Sequence, residues 1–314
     1  MTFTFGIYPG GLLGDETGVI EPASPDDPAL IDAALRELQG AAPDFLVRAY
    51  RSHPGGACAP AAPERYAVDG RRLDLVLQFR ESSGRLDGWL DFVRRTVRTD
   101  GHRIAVLQIC EEPNVDLPPV DGSIPNVRQA LVQGVIAAKE EALACGYDLA
   151  VGFNAALDFD PAATFWPELG ALADERFHRA LDYVGLDFFP DVFRPVPAGR
   201  LGEVVAGVVT GFRRDDLAKA GIGPAVPIRI CEHGWPTGPD RTEERQAEVV
   251  EEVVRTVAGL AAELAVEGYA FFSLRDADSA GSGIFDRFGL LRDDYSRKPA
   301  FAVYRRLVEE LTVS

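Results

Sequence analysis

Basic residues are scarce in this chain: 32 Lys and Arg stand against 49 Asp and Glu, for a formal charge of -17. Nucleic acids and anionic membrane surfaces are held by clustered cations, so this balance argues against both as partners and favours a neutral or cationic ligand. Long apolar runs are missing too. No stretch approaches the roughly 20 residues of a membrane span, and the N-terminal segment lacks the zones of a secretion signal, so a cytoplasmic protein is expected. Cysteine is sparse. Cys58, Cys110, Cys145 and Cys231 form no C-x-x-C pair and are too few for a disulfide framework, which points to reduced thiols. The four histidines show neither H-x-x-H nor H-E-x-x-H spacing, so neither a metal nor a cofactor is expected. No repeat, low-complexity tract or linker divides the sequence, and residues 1–314 are expected to form one domain.

What the chain does have is 46% hydrophobic residues, enough for a large core, arranged with a clear alternation. Short apolar runs bounded by Gly, Pro, Asp or Asn predict strands over Phe3 to Tyr8, Phe45 to Ala49, Leu73 to Phe79, Ile104 to Ile109, Leu149 to Asn154, Tyr183 to Phe188, Ile228 to Cys231 and Ala270 to Ser273. Helical spacing follows most of them. Leu30, Ile31, Ala34, Leu35 and Leu38 make one stripe closed by Gly40, and Val127, Leu131, Val135, Ala138 and Ala142 another closed by Gly146. Thr242 caps a third, with Glu243 and Glu244 in the first turn where the helix dipole favours acids, and a fourth opens at Pro299. Between Ser52 and Arg72 Pro and Gly are frequent, and no helix is expected there. Eight strands alternating with helices fit a (β/α)8 barrel. A doubly wound sheet alternates in the same way, but Tyr8-Pro9-Gly10-Gly11 does not make its glycine-rich phosphate turn.

Barrel active sites are built at the C-terminal ends of strands. The fourth run finishes Ile109-Cys110-Glu111-Glu112-Pro113-Asn114, and the seventh Ile230-Cys231-Glu232-His233-Gly234-Trp235-Pro236. Glu112-Pro113-Asn114 and Glu232-His233-Gly234-Trp235-Pro236 resemble the two glutamate signatures of the clan A glycoside hydrolases, the second being nearest to the β-1,3-glucanase branch. The closing segments Phe288-Gly289-Leu290-Leu291 and Lys298-Pro299-Ala300-Phe301 are also similar to the end of many such barrels. The resemblance implies a retaining glycoside hydrolase with Glu112 as acid/base and Glu232 as nucleophile, acting on a carbohydrate. Physical chemistry asks for the same pair: one carboxylic acid protonates the departing oxygen while a carboxylate attacks the anomeric carbon, the two carboxyl groups standing about 5 to 5.5 Å apart. Charge on Glu232 would keep the proton on Glu112.

Other strand ends supply candidate substrate contacts: Arg48, Tyr50, Gln78, Glu111, Asn154, Asp187, His233, Trp235 and Arg275. Arg48 matches a strand-end Arg that clan members place near the nucleophile, and Tyr50 and Trp235 offer flat faces for a sugar ring. Three positions depart from the clan. Glu111 stands where an Asn usually holds the sugar 2-hydroxyl, Asp187-Phe188-Phe189 replaces a Tyr that orients the nucleophile, and Ser273-Leu274-Arg275 replaces a Trp beneath the sugar. These departures bear on the substrate more than on the reaction. Two other readings stay open: a sugar-binding barrel without catalysis, and a metal-dependent barrel lyase or isomerase using the same acids as hard ligands.

Overall fold

The computed structural model describes residues 3–15, 18–158, 160 and 162–312. The apolar runs become strands β1 (Thr4–Ile7), β2 (Phe45–His53), β3 (Arg71–Phe79), β4 (Ile104–Ile109), β5 (Ala150–Ala156), β6 (Tyr183–Asp187), β7 (Ile228–His233) and β8 (Val266–Phe271). Each lies parallel to its neighbours. β1 pairs with both β8 and β2, so the sheet closes on itself. The chain forms a (β/α)8 barrel.

Helices α1 (Pro28–Gln39), α2 (Asp87–Asp100), α3 (Val127–Cys145), α4 (Phe165–Leu172), α5 (Glu175–Ala180), α6 (Leu201–Gly211), α7 (Glu243–Gly259) and α8 (Pro299–Thr312) surround the sheet. Their ends follow the sequence. Asp27 caps α1 by accepting from Ala29 and Leu30 N–H, Gly40 and Gly146 end α1 and α3 at positive φ, and Thr242 Oγ1 caps α7. Between β2 and β3 there is no α-helix. A two-residue strand, Cys58–Ala59, pairs antiparallel with β2, and a 3-10 turn spans Pro63–Tyr66.

The eighth strand begins at Val266 rather than Ala270. Glu267 and Gly268 interrupt the apolar run, and Gly268 is small for the sake of a neighbour: a Cβ there would lie 2.4 Å from the Arg229 guanidinium, which pairs with Glu267 at 3.2 Å. β2 is also longer than its apolar run, because Tyr50 and Arg51 pair with β3 on one side and Cys58–Ala59 on the other.

Most of the core lies between sheet and helices, where alternate strand residues such as Val47, Leu75, Leu107 and Val151 meet the helical stripes. Inside the barrel the apolar cluster is small, built on Leu46, Val106, Tyr183 and Cys231. Above it the interior turns polar. Helix α3 presses closely on the strand that leads to the acids: a Cβ on Gly134 would meet Ile109 Cγ2 at 2.7 Å. The rigid shell thus fixes the strand ends on which the site is built.

Candidate active site

Strand register brings the polar residues together. Arg48 of β2 lies beside Asp74 of β3, and Val76, two residues on, beside Gln108 of β4, so their alternation turns Arg48, Asp74 and Gln108 all into the barrel, with Gln108 one level nearer the strand ends. Arg48 Nη1 reaches Asp74 Oδ2 at 3.2 Å, Nη2 reaches Gln108 Oε1 at 3.0 Å and Glu111 Oε2 at 3.5 Å, and Nε reaches Glu232 Oε1 at 3.3 Å. This guanidinium is 1% exposed. Tyr50, two residues on and hence on the same face, donates its hydroxyl to the same Glu232 oxygen.

The acids arrive by backbone irregularity. β4 ends at Ile109, and Cys110 and Glu112 then take φ values of 67° and 40°, a left-handed conformation that costs a non-glycine residue about 1 kcal/mol or more. Both Glu111 and Glu112 thereby reach the barrel mouth, which strict alternation would forbid. The turn is braced. Asp121 Oδ2 accepts from the N–H groups of Phe79 and Glu111 at 2.8 Å each, and Asn154 Oδ1 accepts from Glu112 N–H at 2.8 Å. In β7 the register slips between Ile230 and Glu232, so Cys231 packs inside the barrel while Glu232, its immediate successor, also opens on the mouth.

One cation serves this crowd of carboxyls, and protons make up the rest. Burial, then the Glu232 charge, hold the Glu111 carboxyl well above its ordinary range, with Arg48 pulling the other way. Burial and the Glu232 charge also lead for Asp187, followed by Glu111 and Glu112, with Arg48 opposing them. Glu112 is pushed up to about 8 by burial and by Glu232, against Arg48. Burial and the Glu232 charge also keep the Tyr50 phenol protonated, while Arg48 stays charged through its acidic neighbours. Gln108 Nε2 donates to Glu111 Oε2 at 2.6 Å, and Asn154 Nδ2 bonds both Glu111 Oε1 and Asp187 Oδ2. Glu112 is the exception: among the described residues its carboxyl has no hydrogen-bond partner, and it faces the cavity.

That cavity measures about 930 Å³ and is lined by Tyr50, Gln78, Glu111, Glu112, Asp187 and Glu232 among others. Arg48 and Asn154 lie just beneath it as buried supports. Three expected contacts are elsewhere. The His233 ring points outward among Phe188, Tyr269 and Phe271, bonds the Tyr269 hydroxyl, and is lowered to about 3 by burial. Trp235 is 3% exposed within the shell core, where Arg241 covers its ring. Arg275 ties the barrel to its N-terminal loop through Ser24, Pro25 and Asp26. These three follow the right strands, but the strand end turns them away from the opening. Asp74, Gln108 and Asp121 were not expected. The first two carried a signal, a polar residue at an inward position of an apolar strand; Asp121, in a loop, carried none.

Glu111, Asp187 and Glu232 each bring one oxygen within 4.8 Å of the others. Arg48 already bonds two of the three, and its charge opposes a second cation among them. The geometry suits a proton donor and a carboxylate facing one substrate.

No sequence-family model matches the chain, and neither does any curated protein. Solved structures do. A β-glucosidase is similar at 17% identity and TM-score 0.62 over 90% of this chain and 87% of its own. The Thermotoga maritima β-glucosidase in complex with noeuromycin is similar at 14% identity and TM-score 0.61, over 88% and 85%. A β-glucuronidase from Ruminococcus gnavus in complex with D-glucuronic acid gives 12% and 0.61 over 98% of this chain, which spans 48% of it. At these identities the likeness shows the barrel fold.

Proposed function

We propose that this protein is a retaining glycoside hydrolase in which Glu232 is the nucleophile and Glu112 the acid/base. One observation carries the reading: a carboxyl held protonated up to about 8 and a second carboxyl gripped by a guanidinium and a phenol open on the same cavity. Glu112 donates its proton to the glycosidic oxygen as Glu232 Oε attacks the anomeric carbon, and the sugar remains as an ester on Glu232. Arg48 and Tyr50 aim the attacking oxygen. Once Glu232 is esterified its charge is gone, so one of the two causes that raise Glu112 disappears. Its pKa falls, so Glu112 stays ionised after giving up its proton and serves as the carboxylate base of the second step, taking a proton from the water that attacks the same carbon.

Tyr50 takes the part that the clan gives to a tyrosine after the sixth strand, which bears on whether the departures around the site abolish activity. A hydroxyl still bonds the nucleophile, delivered from β2. The neighbours that share this fold are themselves named as β-glucosidases and β-glucuronidases, which supports a carbohydrate substrate. A panel of aryl glycosides tests the reading. Hydrolysis that disappears in Glu232→Gln, with cleavage restored in Glu232→Ala by azide to release the phenol and a glycosyl azide, is the expected result. No turnover of any glycoside, or turnover indifferent to Glu232, overturns it.

A further inference from the structure

The cavity changes chemistry between floor and mouth. The carboxyls and Gln78 gather around the strand ends, matched to hydroxyl groups, while the rest of the lining is mainly apolar, with Arg80, Asp191 and Arg194 as its charged members. A ladder of rings climbs out of the site: Tyr50 meets Tyr8 at 5.3 Å, Tyr8 stacks on Phe272 at 5.5 Å, and Phe272 meets Phe189 at 6.3 Å. It continues from Phe189 to Phe193 at 6.0 Å and from Phe193 to Phe285 at 5.9 Å. The first rung holds the nucleophile and the last stands at the rim.

The loop after β4 and the antiparallel pair Leu13–Asp15 and Gly18–Ile20 add Leu13, Val19, Val115 and Leu117 to the lining. These two segments touch, since a Cβ on Gly14 would lie 2.7 Å from Pro119 Cβ. Seven large apolar side chains are exposed among the described residues, and three of them, Val19 at 62%, Phe193 at 56% and Leu117 at 40%, belong to this one cavity. Single exposed apolar residues need no explanation, but their gathering around one opening marks a surface that is covered when the protein works.

Glu112 says what covers it. Its proton goes to the oxygen that joins sugar to leaving group, so the leaving group lies on the Glu112 side. Glu112 stands three residues past the end of β4, and the loop it belongs to carries Val115 and Leu117 into the cavity lining. We infer that the leaving groups this site takes are bulky and apolar, seated on the Phe189–Phe193–Phe285 ladder while the sugar occupies the carboxyl floor. This rests on the glycosidase reading and adds the class of substrate to it.

Methyl, octyl and naphthylethyl glycosides of one sugar, chosen from the panel that the enzyme turns over, have leaving alcohols of similar acidity and differ in apolar bulk. Wild-type kcat/KM is expected to favour the bulky pair over methyl by roughly 100-fold, the ratio reached if about half of the added apolar surface leaves water. The preferred member of the pair tells a chain from a ring system. In Phe193→Ser the ratio of bulky to methyl is expected to fall by about tenfold. Equal kcat/KM for all three, with hydrolysis still dependent on Glu232, overturns the inference and leaves the glycosidase reading intact. A ratio that Phe193→Ser does not move, joined to a dimer in sedimentation that the substitution splits, makes the rim a contact between copies and also overturns it.

Discussion

Two groups of buried charge sit in this barrel. In one, Lys298 Nζ lies 2.7 Å from Asp276 Oδ1, both side chains 1% exposed, and the remaining capacity of each is spent: Lys298 also reaches Thr237 Oγ1 at 3.0 Å, and Asp276 accepts from Ser279 Oγ and Gly289 N–H at 2.9 Å. In the other, one guanidinium, Arg48, faces Asp74, Glu111, Glu112, Asp187 and Glu232, and the buried Oδ1 atoms of Asp74 and Asp187 have no partner. The first group is balanced and fastens the segment before α8 to the β8 end. The second is unbalanced and opens on a cavity. Charge balance separates a buried pair that holds structure from one kept ready for a reaction, because carboxyls left without cations must bind protons, and such protons can be donated.

The comparison can be broken from either side. Glu232→Gln should lower kcat by about 10^4-fold or more with circular dichroism and Tm unchanged or improved, since the nucleophile is lost and not its surroundings. A modest fall would make the unbalanced group structural after all. Glu112→Gln should cost roughly 10^2- to 10^4-fold on alkyl glycosides, whose leaving groups need the proton. Wild-type kcat/KM should fall as pH rises through about 8, where Glu112 loses that proton, and the variant should lack this limb.

Lys298→Met should act in the opposite way. It leaves Asp276 buried and unpaired, a cost of about 3–5 kcal/mol, or roughly 5–8 °C in Tm for a chain of this length, with kcat untouched; replacing Asp276 by Leu as well should restore most of it. The smallest effect sharpens the contrast further. The folded Glu112 carboxyl is raised from 4.5 to about 8, so the stability it contributes is full near pH 4 and is lost progressively as pH rises from 4.5 to about 8, an effect reduced by solvent because the side chain is only half-buried. Glu112→Gln removes the loss: its Tm should equal that of wild type near pH 4 and exceed it by roughly 2–4 °C at pH 9, which scanning calorimetry at the two pH values checks.

Much of the barrel was legible because its outer shell obeys simple periods. Gly40, Gly146, Thr242 and Pro299 mark helix ends by local chemistry alone. The start of the eighth strand is hidden in the sequence because Gly268 answers to Arg229, a residue of another strand, and no local rule reports that. At the site, residue identities were legible and directions were not. Glu111, Glu112 and Glu232 reach the opening through two positive φ angles and a register slip, whereas His233, Trp235 and Arg275, equally near strand ends, turn outward. Tyr50 lay in plain sight as a flat face, and its function as a donor to Glu232 appears only when β2 and β7 meet at the barrel mouth.

The nucleophile can be identified by trapping. A 2-deoxy-2-fluoro glycoside with an activated leaving group slows departure of the sugar from the enzyme, and peptide mass mapping then locates the ester. A single adduct on the peptide carrying Glu232, absent from Glu232→Gln, is the expected outcome. An adduct on Glu111 or Asp187, or a first-formed product of inverted anomeric configuration, would contradict the assignment of a retaining mechanism through Glu232.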